Sequence, residues 1–352
     1  MIALYAKINI MLDVITIGSA TWDNFLKSNH PVKDWKEAPS GKAIVYNLGE
    51  KYGVKDYYGT IGGNSANASV TFARQGFKTA CLAKIGKDLV GGQFEARLKK
   101  EGVKRSLLAK TSEKPTAYSA LLLTESGERT ILSYHGASDT FTFQDAPLKK
   151  LKAKWWYLSL AGESHKMFYA LLDFAKENKI KVGFNPSGFH LFHGREGILT
   201  RLKDITFLVL NEEEAAELTG IPFQKESEVF KKLDNLMPGI VAVTNGPKGV
   251  TVSDGKNIYK AGIFKEKQIA DRTGAGDAFG SGFVAGLMIR SKLQVKNQNL
   301  FDSEDIKYAI RLATANATSV VERVGATEGI LTKEQFENDT RWKDLEIQVK
   351  SS

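Results

Sequence analysis

The chain has 352 residues, and its 49 basic and 40 acidic side chains give a formal net charge of +9, which favours anionic ligands. Hydrophobic residues make up 42% and charged residues 25%, a globular composition that excludes collagen-like and disordered classes. The single Cys81 excludes an internal disulfide, and no apolar run approaches the roughly 18 residues of a membrane helix, so we expect a cytoplasmic protein without a membrane partner.

The first ten residues are apolar but carry Lys7 and lack a small-residue cleavage site, so they make a poor signal peptide. Two interpretations remain open: they belong to the native protein, or they are an extension upstream of a start at Met11.

Short apolar runs alternate with helical patterns along most of the chain, which predicts one α/β domain over residues 1–352 with a mostly parallel sheet and helices on both faces. The predicted strands are Leu12–Gly18, Lys78–Ile85, Lys154–Leu160, Ile180–Phe184, Ile205–Leu210 and Ile240–Val243. The predicted helices are Asn64–Gln75, Leu89–Lys100, Ser164–Asn178, Asn211–Leu218, Ser227–Leu236, Asp277–Arg290 and Ser303–Arg323.

Two segments interrupt this alternation. Residues 31–60 are turn-rich and aromatic, and residues 116–134 have the pattern of a hairpin that turns at Glu125–Glu128. Long insertions in a compact domain are usually binding loops or lids, so we expect both segments to form one small β-lid. The alternative is a pair of surface excursions without a role. Exposed lid strands would also offer edges for a homodimer.

The strongest local feature is Asp271–Phe279, which follows an extended stretch and opens a helix rich in small residues. The backbone N–H groups of Gly274-Ala275-Gly276 at a helix start form an anion site suited to phosphate. Asp277 then lies in the first helical turn. Two interpretations are open from the residues alone: a carboxylate that stabilises the helix start, or a base that takes a proton from an attacking hydroxyl.

Other polar residues follow the predicted strands, where ligands bind in open α/β sheets. Glu163, Asn211 and Thr244 each come just after a strand, although Asn211 taken alone is more typical of a helix cap. A second glycine motif, Gly62–Asn67, opens a helix and would allow a small ligand to approach the backbone.

Competing motifs are weak. No P-loop pattern occurs, and the spacing of Gly280–Ala285 lies inside a helix, where it indicates helix packing. His190 and His193 lack a third metal ligand and are interpreted as surface residues, and Cys81 as a core residue. The basic run Lys149–Lys154 precedes a strand that begins with two tryptophans, and we interpret it as a solvated segment rather than a nucleic-acid site.

The motifs Gly62–Asn67, Asn211–Glu214 and Asp271–Asp277, in this order, resemble those of the ribokinase family, also called the phosphofructokinase-B family of sugar and nucleoside kinases. The resemblance covers nearly the whole chain and implies a ribokinase-like fold. It also implies a carbohydrate kinase that uses ATP and Mg²⁺ and, in some members, K⁺.

The resemblance also implies roles for individual residues. Asp277 would be the base, and Gly274, Ala275 and Gly276 the anion hole. Residues that would hold the substrate are Asp23, Gly62, Gly63, Asn67 and Glu163. Residues that would contact the nucleotide are Asn211, Glu214, Thr244, Gly246 and Asn316. Asn211 and Glu214 would order Mg²⁺ through water, and Asp271 and Thr273 would bind a monovalent cation.

Departures from the family pattern concern the substrate. Asn64 and Ser65 stand where ribokinases carry Lys and Gly, and Arg272 stands where Thr or Asn is commoner, so the resemblance does not extend to ribose. No basic pair near Gly62–Asn67 would hold a phosphosugar, which favours an unphosphorylated sugar. A nucleoside is the alternative substrate, because the lid aromatics could stack on a base. A catalytically silent ligand-binding regulator on the same fold is the non-enzymatic alternative.

Overall fold

The computed structural model describes residues 11–38, 40–124, 129–293 and 301–351, and within that part no side chain is described for residues 292 and 293. The first ten residues and the predicted turn at Glu125–Glu128 lie outside the described residues. No helix in the described ranges has the length and hydropathy to cross a membrane.

The strands and helices follow the α/β alternation that the sequence predicts. The strands are β1 (Leu12–Gly18), β2 (Thr21–Lys27), β3 (Val32–Asp34), β4 (Lys42–Ile44), β5 (Asp56–Gly62), β6 (Thr79–Leu82), β7 (Lys84–Gly86), β8 (Ala109–Thr111), β9 (Ala117–Leu123), β10 (Arg129–Tyr134), β11 (Ala153–Ser159), β12 (Lys181–Phe184), β13 (Phe207–Asn211), β14 (Ile240–Thr244), β15 (Val250–Ser253), β16 (Asn257–Ala261) and β17 (Ile347–Ser351). The helices are α1 (Asn64–Arg74), α2 (Leu89–Lys100), α3 (Gly136–Asp139), α4 (Phe168–Glu177), α5 (Gly188–Arg201), α6 (Glu212–Thr219), α7 (Glu226–Leu236), α8 (Ala275–Leu293), α9 (Ser303–Val321) and α10 (Lys333–Asn338).

The central sheet has nine strands in the order β17-β16-β15-β14-β13-β12-β11-β1-β6. The six strands from β14 to β6 are parallel, and β15, β16 and β17 extend the sheet in antiparallel fashion. Strands such as β1 and β11 are buried on both faces, which explains their continuous apolar runs. The predicted α/β class with a mostly parallel sheet is confirmed.

Two apolar cores lie on opposite faces of this sheet. One contains Leu171 of α4 and Leu233 of α7, and the other contains Phe283 of α8 and Ile310 of α9. Cys81 is buried, as predicted. His190 is also buried, so its interpretation as a surface residue is wrong: it lies in α5, a helix that the glycine-rich sequence did not predict, and packs against Phe168 and Phe184.

A second sheet of four strands has the order β10-β9-β2-β5, and we call it the lid sheet. It brings both interrupting segments together, since β5 comes from one and β9 and β10 from the other. The sequence did not predict β2, which pairs with β5 on one side and β9 on the other. Strands β3 and β4, from the first segment, form a separate two-stranded sheet.

Candidate active site

The turn Gly274–Gly276, here called the anion turn, leads into α8. Gly274 has φ +79°, and a Cβ there would lie 2.5 Å from the Cβ of Ala326, so both its conformation and its packing require glycine. A Cβ at Gly276 would meet nothing within 4 Å, which places open space in front of the helix start. First-turn N–H groups of an α-helix lack intrahelical partners, so this space suits an anion.

Asp277 lies in the first turn of α8 with 9% of its surface exposed. The Asn67 amide donates a hydrogen bond to its Oδ2 at 2.9 Å. Burial raises the pKa of the Asp277 carboxyl from 3.8 to about 6, although the hydrogen bond from Asn67 opposes part of that rise. A carboxylate with a pKa near 6 is an effective proton acceptor at neutral pH.

Asn67 is buried in α1, and its Oδ1 has no hydrogen-bond partner. Because its amide nitrogen is used by Asp277, the unpartnered oxygen is available to accept from a ligand hydroxyl. The start of α1 is fixed by Gly63, whose φ is +88° and whose Cβ would lie 2.7 Å from the Ser19 carbonyl oxygen. Gly62, at the end of β5, allows the Asp23 carboxylate to pack against it, and Gly63, at the cap of α1, allows the close approach of the Ser19 backbone.

Asp23 lies on β2 of the lid sheet and faces the same site. Its carboxylate covers Gly62, where a Cβ would lie 1.9 Å from Asp23 Oδ2. Burial raises the pKa of Asp23 from 3.8 to about 6, a hydrogen bond from Ser119 opposes the rise, and the charges of Asp271 and Asp277 add to it. The effect of Asp277 on Asp23 indicates that the lid carboxylate lies within electrostatic range of the α8 carboxylate.

Asp271 and Thr273 form a closed hydrogen-bonded unit just before the anion turn. Asp271 is fully buried, and its Oδ1 accepts from the Thr273 N–H at 3.0 Å and from the Thr273 hydroxyl at 2.7 Å. Its Oδ2 accepts from the Gly325 N–H at 3.3 Å. The unit therefore holds the anion turn against the segment that contains Ala326.

Asn211 and Glu214 form a capping box at the start of α6. The Asn211 side chain accepts from the Glu214 N–H, and Glu214 Oε2 accepts from the Asn211 N–H, each at 2.8 Å. Burial and then the charge of Asp277 raise the pKa of Glu214, against the hydrogen bond from Asn211. The capping role and an electrostatic link to Asp277 therefore coexist in Glu214.

A mostly apolar cleft adjoins the anion turn. Thr244, Gly246, Arg272, Gly276 and Phe279 line it together with one side of α9. The cleft opens directly onto the helix start, so a nucleotide base in it would direct its phosphates toward the anion turn.

Asn316 does not line this cleft, so the structure does not bring it together with Thr244 and Gly246. It is fully buried, and its amide donates to the Ala278 carbonyl at 2.9 Å and to Thr71, while its Oδ1 accepts from Leu331. The predicted helix does flank the cleft, but Ala317 and Thr318 provide the lining. A single turn of α9 therefore contains both the buried Asn316 and the residues that line the cleft. Position in the sequence alone could not distinguish between them.

Glu163 lies in the short 3₁₀ segment Gly162–Met167 and points to solvent. Its side chain is 52% exposed and pairs with Lys166 at 2.7 Å. The structure therefore does not bring Glu163 together with Asp23, Asn67 and Asp277.

Sequence reasoning missed several residues of the site. Ser119 bonds to Asp23 because β2 and β9 pair in parallel register, a contact that no local pattern reveals. Tyr157 lies fully buried beneath α8, in electrostatic range of Asp277, where its hydroxyl would be 2.3 Å from a Cβ at Gly280. The glycines within α8 were the available signal, since they mark a helix that packs closely.

Comparison with known proteins decides the family. Residues 42–333 match the family described as "pfkB family carbohydrate kinase". The chain belongs to the pfkB family. As a member, it is a phosphotransferase with an alcohol group as acceptor, and the predicted ribokinase-like fold is confirmed.

The names of the relatives of this pfkB kinase indicate different acceptors. A ribokinase from Lactococcus lactis is 27% identical over 341 residues, which cover 96% of this chain and 100% of the relative. A cytidine kinase from Thermococcus kodakarensis is 29% identical over 281 residues, or 78% of this chain and 88% of the relative. A solved ribokinase from Arabidopsis thaliana, complexed with ribose and ATP, has a TM-score of 0.74 at 21% identity, with 95% of this chain and 100% of that chain covered. At that identity the structural likeness shows the fold alone.

Proposed function

We propose that this pfkB kinase transfers the γ-phosphate of ATP to a hydroxymethyl group of a small unphosphorylated sugar. The observation that carries the proposal is the Asp277 carboxylate, buried at the start of α8 with its pKa raised to about 6 and oriented by Asn67. A base with this pKa is mostly ionised at neutral pH and still basic enough to accept a hydroxyl proton.

The charges around the substrate position favour a neutral polyol. Asp23, the free oxygen of Asn67 and Asp277 are all hydrogen-bond acceptors, which suits the hydroxyl donors of a sugar. Two carboxylates whose pKa values are already raised would repel a phosphate or carboxylate on the substrate. A phosphorylated sugar is therefore a poor fit.

The nucleotide belongs in the apolar cleft beside the anion turn. Thr244 and Gly246 line its floor, and Arg272 adds a positive charge on the side of the phosphates. The N–H groups of Gly276 and Asp277 at the start of α8 would stabilise the charge of the transferring phosphoryl group.

Glu214 and Asn211 fit Mg²⁺ held through water. Only one Glu214 oxygen is used by the capping box, and the nearby charge of Asp277 opposes ionisation of Glu214, so a divalent cation would relieve the repulsion. Among the described residues, no three His, Cys, Asp or Glu side chains converge to hold a metal directly. When bound, Mg²⁺ neutralises phosphate charge.

The proposed reaction forms one bond, breaks another and transfers one proton. The substrate hydroxyl oxygen forms a bond to the γ-phosphorus as the bond to the ADP oxygen breaks, and the hydroxyl proton passes to Asp277. Asn67 keeps the Asp277 carboxylate in place during the transfer. Closure of the lid sheet over the substrate would exclude water and so prevent hydrolysis of ATP.

The outer face of the lid sheet also supports a homodimer. Tyr57, Tyr118, Leu132 and Tyr134 are exposed there, and a second copy would cover them. Sedimentation of wild type and of Leu132→Glu tests this: the variant should be monomeric at concentrations where the wild type is dimeric.

A nucleoside is the second candidate acceptor. The cytidine kinase relative and the lid aromatics support it. A coupled ADP-release assay on common sugars and nucleosides separates the candidates. Turnover on a nucleoside with none on any sugar would contradict the sugar proposal, and ligand binding without any ADP release would indicate a silent regulator.

A further inference from the structure

The starting point is the buried charge of Asp271. The side chain is fully shielded from solvent and accepts three hydrogen bonds, two from Thr273 and one from Gly325. Hydrogen bonds lower the cost of burying a carboxylate, but a charge in this position is stabilised further by a cation of opposite sign. The position of that cation determines how firmly the segment before the anion turn is held.

Arg129 is the cation that the fold supplies. Its Nε lies 3.8 Å from Asp271 Oδ1, and within the described ranges no other Lys, Arg or His side chain lies within 4.0 Å of this carboxylate. The same Nε is buried and has no hydrogen-bond partner. Arg272, next to Asp271 in sequence, is exposed and lines the nucleotide cleft instead.

Arg129 reaches Asp271 from a different part of the molecule. It is the first residue of β10, at the edge of the lid sheet, and it pairs in register with Leu123 of β9. Asp271 in turn is hydrogen-bonded to Thr273 and to Gly325, and the next residue, Ala326, packs against Gly274. A displacement of Asp271 would therefore be transmitted to the anion turn within two or three residues.

We propose that Arg129 is a positioning residue that serves as a built-in counter-ion of Asp271, so that the lid sheet itself supplies the charge for which the resemblance implies a monovalent cation. The enzyme is then independent of K⁺. The oxygens of Asp271 support this: three protein donors and one guanidinium surround them, whereas a bound K⁺ would need those oxygens as ligands. The consequence for catalysis rests on the proposed kinase function, but the consequence for cation binding does not.

The test compares four proteins: wild type, Arg129→Met, Arg129→Lys and Lys27→Met. Lys27 is a matched control, because it is a basic residue of the same sheet that faces the same way as Arg129 but does not contact Asp271. Each protein is assayed for ADP release and melted in KCl and in tetramethylammonium chloride at equal ionic strength, with guanidinium chloride at millimolar concentration as a further additive.

The expected result is a cation requirement created by one substitution. Wild type, Arg129→Lys and Lys27→Met have equal rates and melting temperatures in the two salts. Arg129→Met loses about 10- to 100-fold in kcat in tetramethylammonium, with the KM for ATP within a few-fold of wild type, because the anion turn is misplaced while the cleft is intact. Adding K⁺ or guanidinium raises the kcat of Arg129→Met at least tenfold. It also raises the melting temperature of Arg129→Met and of no other protein in the set.

Three results would overturn the proposal. They are activation of the wild type by K⁺ of more than about threefold, an Arg129→Met protein that behaves like Lys27→Met, and a loss that neither K⁺ nor guanidinium restores. If no substrate is phosphorylated by the wild type, the kinase function fails, and the melting experiment alone decides the counter-ion role.

Discussion

Asp277→Asn tests the centre of the proposed mechanism, because it removes the proton acceptor and keeps the shape of the side chain. General-base catalysis typically contributes 10²–10⁴-fold, so kcat should fall by about that factor. The KM for ATP should change little, since the anion turn binds through backbone N–H groups and the helix dipole rather than through this carboxylate.

The same substitution should stabilise the protein at alkaline pH. The pKa of Asp277 rises from 3.8 to about 6 on folding, and a rise of about two units corresponds to about 3 kcal/mol once the group is ionised in both states. Because the folded pKa is the higher one, this destabilisation of the wild type is absent below pH 4 and complete above about pH 7. Asparagine lacks the charge but adds a buried N–H donor that costs about 1–2 kcal/mol, so we expect a net gain of about 1–2 kcal/mol at pH 8.

Urea unfolding at pH 5 and pH 8, together with steady-state kinetics, measures both effects. Asp88→Asn is the control, since Asp88 also lies at a helix start but has a lowered pKa: burial raises it, and hydrogen bonds from Gly91 and Thr116 outweigh that effect. That variant should lose stability at pH 8. If the kcat of Asp277→Asn stayed within a few-fold of wild type, the proposed role of Asp277 as general base would be refuted. If the difference in unfolding free energy between wild type and Asp277→Asn were the same at pH 5 and pH 8, the proposed burial of a charged Asp277 would be refuted.

The remaining predictions concern the pH profile and three further residues, one within the site and two outside it. The kcat/KM of the wild type should rise as pH increases through about 6, because Asp277 and Asp23 must both lose their protons to accept from substrate hydroxyls; a flat profile from pH 5 to 8 would contradict this. Gly62→Ala should raise the KM for the sugar at least tenfold, as its Cβ would displace the Asp23 carboxylate, with the KM for ATP as the internal control. Asn316→Ala should cost about 2–4 kcal/mol of unfolding free energy, since it leaves three buried hydrogen bonds unmade, while the KM for ATP stays unchanged. Glu163→Gln should alter kcat/KM for the sugar less than twofold, because Glu163 is solvent-exposed and paired with Lys166; a tenfold loss would return it to the substrate site.

Local patterns predicted the elements whose signals are local. Strand β1 and helix α2 have the predicted bounds, because strand burial and helix periodicity depend on neighbours in sequence. The strand β2 was missed because it follows β1 after two residues and its partners lie far away in the chain. Helix α5 was missed because Gly188, Gly194 and Gly197 weaken its pattern, although Leu191 and Ile198 are buried in the folded protein.

The same distinction applies to the site. The anion turn and Asp277 could be proposed as site residues from the sequence because glycines at a helix start have a specific chemical meaning. The Asn67–Asp277 hydrogen bond joins residues 210 positions apart, and its geometry is set by the packing of α1 against α8. Asn316 shows the limit most clearly: the helix was placed correctly beside the cleft, but the rotation of one residue on α9 decides between a ligand contact and a buried structural role.

Hydrogen-bonding capacity in the site is divided along the start of α8, and in the proposed mechanism that division sets the direction of transfer. On the lid side, Asp23, Asn67 and Asp277 offer acceptors, which in the proposed reaction would bind a hydroxyl and take its proton. On the cleft side, the N–H groups of the anion turn and Arg272 offer donors and positive charge, which would hold phosphates in the proposed reaction. In that reaction, a nucleophilic oxygen that loses its proton to the lid side would meet the phosphorus held on the cleft side. A sugar that already carries a phosphate would place its charge among the acceptors, so we expect the same division to disfavour rebinding of the phosphorylated product as substrate.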